Sequence, residues 1–224
     1  MVDSMRAKDA EQERKVIAFL DKYLYSKVSE HYELVDNRED QIRGVDIRAF
    51  RGQKVICHDV KAQASPHYIN NPTPTFCMEL LFDKDGHTYE GWFVRENMLT
   101  DFYVFGWIHK AKQNKEGYFD SPEDIEKIEI YFVDKKKLKE FVAEEFSDAE
   151  LLQIAYEMRE NNEIKRPHNN DMHFYYTHPN ILAEHPVNLI IWKRVLKRFS
   201  PKRYIVQKDG LWELTDNDKK ILIS

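Results

Sequence analysis

Asp46, Asp59, Lys61 and Gln63 are the residues of this chain whose types and spacing could do chemistry together. They lie between Gly44 and Gln63, in a stretch that reads as two strands, Val45 to Phe50 and Val55 to Ala62, joined at Arg51-Gly52-Gln53-Lys54. Gly52-Gln53 suits a two-residue type II′ loop, which takes glycine at its first central position. In that register Arg51 pairs with Lys54 and Asp46 falls opposite Asp59, and cross-strand partners hold their Cβ atoms about 5 Å apart. Residues two apart on a strand share a face, so Lys61 and Gln63 join the two aspartates. Such a group is costly to bury without a partner. Adjacent carboxylates raise each other's pKa unless a cation neutralises them. A hard cation such as Mg²⁺ takes oxygen ligands and keeps several waters. The chemistry to expect is metal-dependent hydrolysis of a phosphodiester, with the metal neutralising charge on the phosphate. Lys61 would orient the attacking water or stabilise the transition state. The plain alternative is a surface hairpin whose charged face meets water.

The same residues carry a family likeness. Asp46, followed on the next strand by Asp59-Val60-Lys61, resembles the motif of the PD-(D/E)XK nuclease superfamily, whose fold is restriction-endonuclease-like. The resemblance implies that Asp46 and Asp59 bind the metal, that the Val60 carbonyl adds a ligand and that Lys61 supports the attacking water. Gln63 matches a polar position beyond the lysine and is expected to orient solvent or the scissile phosphate. Val45 stands where the family has proline. Many enzymes of that superfamily carry a further acid on the first helix. The run Glu13-Arg14-Lys15-Val16-Ile17-Ala18-Phe19-Leu20 is similar to the first helix of its archaeal Holliday-junction resolvases. Glu13 is therefore expected as a third acid, catalytic and metal-binding. The likeness covers the chain up to about Ser65 and assigns nothing after it.

The elements that must position these groups begin with a helix over 7–28, where Val16, Ile17, Leu20, Tyr23, Leu24 and Val28 keep helical spacing. Asp9, Glu11 and Glu13 crowd its N-terminal side, where the macrodipole favours acids. His31 to Val35 reads as a strand, Asp36 to Asp40 as a polar turn, and Gln41 and Arg43 as loop residues close to Asp46. Prolines 66, 72 and 74 keep the next segment from forming a long helix, so His67, Tyr68, Asn70 and Asn71 fall in a crossing loop. Strands follow at Thr75 to Phe82, Tyr89 to Val94, Thr100 to His109 and Ile128 to Val133, with their aromatic residues assigned to the core. A helix over Lys135 to Phe146 precedes a second one, opened by the capping box Ser147-Asp148-Ala149-Glu150 and running to about Asn161. Asn161 to His178 reads as a histidine-rich loop, in which His168 and His173 make only a weak zinc spacing. Val187 to Ile191 reads as a strand that feeds a basic helix, Trp192 to Phe199. The pattern echoes the strand at Ile128 and its lysine-rich helix.

A chain of 224 residues with 42% apolar and 13% aromatic content is globular and long enough for a substantial core. A net charge of −5 argues against a surface broadly coated for nucleic acid, but leaves room for a local basic groove. Lys193, Arg194, Lys197 and Arg198 share one side of the last helix, and Lys202 and Arg203 extend them; this patch is expected to bind phosphate backbone in a salt-dependent way. Cys57 and Cys77 sit in apolar runs and read as buried, reduced thiols rather than a disulfide or zinc site. No apolar run approaches about 18 residues and no signal-peptide pattern is present, so a soluble cytoplasmic protein without a membrane segment is expected.

The fold class expected is α/β. A restriction-endonuclease-like core over about 1–146, with a central mixed β-sheet flanked by helices, continues into a C-terminal α/β extension over about 147–224, all in one domain. The function expected is a metal-dependent nuclease that hydrolyses nucleic-acid phosphodiesters, DNA before RNA, with Mg²⁺ or Mn²⁺, alone or as a homodimer. The alternatives are a catalytically inactive nucleic-acid- or protein-binding module on the same fold, and a metal-dependent hydrolase of another substrate.

Overall fold

The computed structural model describes residues 6–223. The chain opens with α1 (Arg6–Leu20), which runs through a π-helical turn (Asp21–Tyr25) into the short α2 (Ser26–Val28). Next come β1 (Tyr32–Leu34), α3 (Arg38–Ile42), β2 (Ile47–Arg51), β3 (Lys54–Gln63), β4 (Thr75–Lys84), β5 (His87–Glu90) and β6 (Phe102–Ala111). They are followed by β7 (Ile125–Asp134), α4 (Lys135–Ala143), α5 (Asp148–Glu160), β8 (Lys165–Pro167) and β9 (Met172–Tyr176). The last elements are β10 (Val187–Trp192), α6 (Lys193–Arg198), β11 (Lys202–Gln207), β12 (Gly210–Leu214) and β13 (Lys220–Leu222).

These elements form two compact units, and neither is a continuous piece of chain. One comprises residues 8–73, 99–135 and 199–223, the other residues 6–7, 74–98 and 136–198. The interleaving differs from the linear division expected from sequence, a core to about residue 146 and an extension after it. The physical reason is strand pairing: β7 takes β11 as its neighbour, and β4 takes β10.

The first unit holds an eight-stranded sheet in the order β1-β2-β3-β6-β7-β11-β12-β13. It is mixed, because β3 and β6 pair in parallel while their neighbours pair antiparallel. The helical face of α1 (Val16, Phe19, Leu20) packs into a core with Val60 of β3, Val104 and Ile108 of β6 and Ile128 and Ile130 of β7. Gly106 of β6 keeps that layer tight, since a Cβ there would meet Ile128 Cδ1 at 2.9 Å.

The second unit holds an antiparallel sheet in the order β5-β4-β10-β9-β8. Leu151, Ala155 and Met158 of α5 are fully buried, as are Met78, Leu80, Leu189 and Ile191 of the sheet. The capping box expected at Ser147 is present: its hydroxyl accepts from the Glu150 amide, and the Glu150 carboxylate accepts from the Ser147 amide. The echo of strand and basic helix is also present, as β7 into α4 and β10 into α6.

Several local expectations are corrected. The polar turn over 36–40 becomes α3, because the Asn37 side chain caps it by accepting from the Glu39 amide. The strand expected to reach Val94 stops at Glu90. Gly91 instead lies so close to the Glu79 carbonyl that any side chain would clash, at 2.1 Å. The histidine-rich loop over 161–178 contains two strands, β8 and β9, which complete the second sheet. Among the described residues no helix is long and apolar enough to cross a membrane.

Candidate functional site

The turn at Gly52 sets the register of the site. Gly52 has φ of +61°, Arg51 pairs with Lys54, and Ile47 pairs with His58, which is the expected alignment. The β2–β3 ladder then runs out. The Asp46 amide still donates to the His58 carbonyl at 2.9 Å. The Val60 N–H, however, donates to the Asp46 carboxylate, Oδ2, at 2.7 Å rather than to a strand. On its other side β3 stays paired with β6 from His58 to Gln63. An edge of β3 therefore opens where Asp46 leaves it, and Asp59, Val60 and Lys61 lie along that edge.

Lys61 gathers the site. Its Nζ donates to Asp59 Oδ1 at 2.6 Å and lies 3.5 Å from Glu13 Oε1 and 3.4 Å from the Val60 carbonyl. α1 delivers Glu13 because Val16, one turn on, anchors the same side of the helix in the core. Asp59 is buried, at 1% exposure. Its Oδ1 takes the lysine, whereas Oδ2 has no hydrogen-bond partner among the described residues. The structure thus brings together Asp46, Asp59, Val60, Lys61 and Glu13.

The electrostatics follow from crowding three acids around one ammonium. Burial, opposed by Lys61 and reinforced by the charges of Asp59 and Glu13, pushes the Asp46 carboxyl up to about 8. Burial likewise raises Glu13 above the usual carboxylate range, with Lys61 pulling the other way. Burial works against the Lys61 ammonium, but Asp59, Glu13 and Asp46 together hold its pKa well above the ordinary value.

Gln63, two residues beyond Lys61 at the end of β3, is bonded to the loop that follows the strand. Its Oε1 accepts from the Thr73 amide at 2.9 Å and its Nε2 donates to the Thr73 hydroxyl at 2.9 Å. The amide therefore fastens the end of the 64–73 loop to the end of β3. That loop is fixed again at Asn70, whose side chain accepts from the Ala111 amide and donates to the Ala111 carbonyl. Thr73 was not singled out in the sequence; it lies across a proline- and asparagine-rich loop with no local signal to mark it.

His58 and Tyr25 form a second polar contact that the sequence did not announce. Tyr25 Oη and His58 Nδ1 are 3.0 Å apart, and His58 is ringed by Tyr25, Phe102 and Phe132. Burial lowers the His58 pKa to about 4, against a smaller opposing effect of Asp101.

No family model, curated protein or solved structure matches this chain.

The donor set suits a hard divalent cation. Asp46, Asp59, Glu13 and the Val60 carbonyl offer only oxygen, and the buried Asp59 Oδ2 lacks a donor among the described residues. Among the described residues no three Asp, Glu, His or Cys side chains are already arranged as a metal cage.

The basic residues expected to touch nucleic acid divide into two kinds. Arg194 and Arg198 of α6 are exposed, with Asp171 at 3.0 and 3.9 Å respectively. Arg194 also lies over the Trp192 ring and Arg198 over the Phe141 ring. Lys193 and Lys197 are half-buried on the same helix. Lys202 pairs with Glu213 at 2.6 Å. Arg203 is buried, at 2% exposure, with Asp218 at 2.6 Å and the Tyr131 ring beneath its guanidinium. Its charge is paired inside the fold.

Proposed function

We propose that the protein is a metal-dependent nuclease, with its active site at the splayed end of β2 and β3. The observation that carries this reading is the Lys61 ammonium held between Asp59 and Glu13, with Asp46 bonded one residue away at the Val60 amide. Asp46, Asp59, Glu13 and the Val60 carbonyl would hold Mg²⁺ or Mn²⁺. A divalent cation bound there supplies charge neutralisation at the phosphate and lowers the pKa of water.

The remaining work belongs to the chain. Lys61 carries a positive charge beside the acids and serves to orient the attacking water and to meet charge that builds on the phosphate. Asp46 does two jobs, offering a carboxylate oxygen and holding the open edge of β3 in place. Gln63 acts through Thr73, fixing the loop that follows the motif strand. The exposed arginines of α6 supply a surface for phosphate backbone, and DNA is the substrate proposed.

The test is hydrolysis of labelled duplex DNA, single-stranded DNA and RNA with Mg²⁺ or Mn²⁺, for wild type, Asp59→Asn and Lys61→Ala. Cleavage by wild type alone supports the reading. Full turnover by Lys61→Ala removes the mechanism, and no cleavage of any substrate removes the nuclease.

A second reading draws on a specific observation: the acids surround an ammonium, and no three of them already form a cage. On that reading the fold binds nucleic acid or protein without cleaving it. Binding of DNA that is indifferent to divalent cation and to Asp59→Asn would favour it.

A further inference from the structure

Three oxygens meet the Lys61 ammonium within 3.5 Å: Asp59 Oδ1, Glu13 Oε1 and the Val60 carbonyl. All three belong to groups that a divalent cation would take under the reading above, and this inference rests on that reading. Two cations compete for one oxygen cluster, because like charges close together repel where water is scarce. The lysine also has a way out: its side chain keeps 22% of its surface exposed, whereas Asp59 keeps 2%. Its long stem can swing to water while the acid stays behind.

We infer that the Lys61 ammonium is the resident cation of this site, competing with divalent metal for the oxygens of Asp59, Glu13 and Val60 and leaving them when metal binds. Lys61 thereby has a role before any chemistry. It keeps three crowded acids together in the metal-free protein, and it weakens the protein's affinity for metal by the fraction of molecules in which it occupies the oxygens.

Calorimetric titration with Mn²⁺ in mildly alkaline buffer separates the possibilities, using wild type, Lys61→Met, Lys61→Arg and the Asp46→Asn/Asp59→Asn pair. The inference expects Lys61→Met to bind at least about tenfold more tightly than wild type, because the competing state is gone. Lys61→Arg, which keeps the charge, should bind as weakly as wild type. Equal or weaker binding by Lys61→Met, with wild-type binding that still depends on the two aspartates, overturns the inference and leaves the metal reading standing. No binding by any form, or equal binding by the aspartate variant, overturns the metal reading and the inference with it. A second measurement needs no substitution. Reductive methylation of Lys61 in wild type, followed by mass spectrometry, should be slow without metal and faster at saturating Mg²⁺. An unchanged or slower rate overturns the competition even where Lys61→Met fails to fold.

Discussion

Asp46 Oδ2 accepts the Val60 N–H at 2.7 Å, so a side-chain carboxylate takes the backbone donor that a neighbouring strand would otherwise hold. The site is thus also a seam in the sheet, and changes to Asp46 act on stability as well as on chemistry. Asp46→Ala leaves the Val60 amide without its acceptor and should cost about 1–3 kcal/mol in urea unfolding. Asp46→Asn retains an acceptor oxygen and should cost far less. Equal losses in the two variants would remove the hydrogen bond from the account.

The same carboxyl makes stability depend on pH. Its pKa is pushed up to about 8 in the fold, against about 4 in an unfolded chain. Between these values the folded state holds a proton that the unfolded state has lost. The stabilisation is complete below about pH 4 and disappears as pH rises through about 8, with a slope of up to about 1.4 kcal/mol per pH unit. Urea midpoints of the metal-free protein should therefore fall across that window, and Asp46→Asn should flatten the curve. Parallel curves for the two proteins would place the titrating group elsewhere.

His58 acts in the opposite direction. Its folded pKa is lowered to about 4, while the unfolded value is about 6.5. Its contribution is present above about pH 6.5 and lost as pH falls through about 4, amounting to on the order of 3 kcal/mol. NMR titration should find the His58 imidazole neutral down to roughly pH 4–5. A midpoint near the ordinary histidine value would show that the Tyr25–Phe102–Phe132 surround does not exclude the charge.

Gln63 and Thr73 should behave as one unit. Each substitution, Gln63→Ala or Thr73→Ala, is expected to destabilise by about 1–3 kcal/mol. The double variant should fall short of the sum, with a coupling of at least about 0.5 kcal/mol. Strict additivity would mean that the bond from the Gln63 amide to the Thr73 hydroxyl does not fasten the loop.

The arginines separate binding from folding. Arg194→Ala with Arg198→Ala should weaken DNA binding and reduce the salt slope by roughly 0.9 for each phosphate left without its arginine, with little change in unfolding. Arg203→Ala should instead lower stability by about 1–3 kcal/mol, because it removes the packing on Tyr131 and the pair with Asp218. A salt-slope change for Arg203→Ala in a stable protein would reverse this assignment.

The hairpin and its register were legible because both depend on local rules. A glycine supplies the positive φ of the turn, and period-two alternation carries the alignment from Arg51 and Lys54 back to the aspartates. The helix at Val16 and the capping box at Ser147 were legible for the same reason. The two strands between residues 161 and 178 were not. Met172, Phe174 and Tyr176 alternate with half-exposed or exposed neighbours, but the surrounding histidines and asparagines hide the pattern, and it gains meaning only when β10 lies alongside. The Gln63–Thr73 contact spans a ten-residue loop and the burial of Arg203 depends on Tyr131 of β7, so no local signal could reveal them. The two-unit division was illegible for a related reason: no linker marks it, because the chain passes between units inside α1, at the start of α4, at the end of α6 and in ordinary loops.

That interleaving sets a timetable for synthesis. β7 needs β6 on one side and β11 on the other, yet the ribosome makes all of α4, α5, β8, β9, β10 and α6 before β11 emerges. Until then the growing chain presents a long apolar strand with an unpaired edge, the form in which nascent proteins associate wrongly. A chain stalled short of β11 should be aggregation-prone even though every residue of the candidate site has already been made.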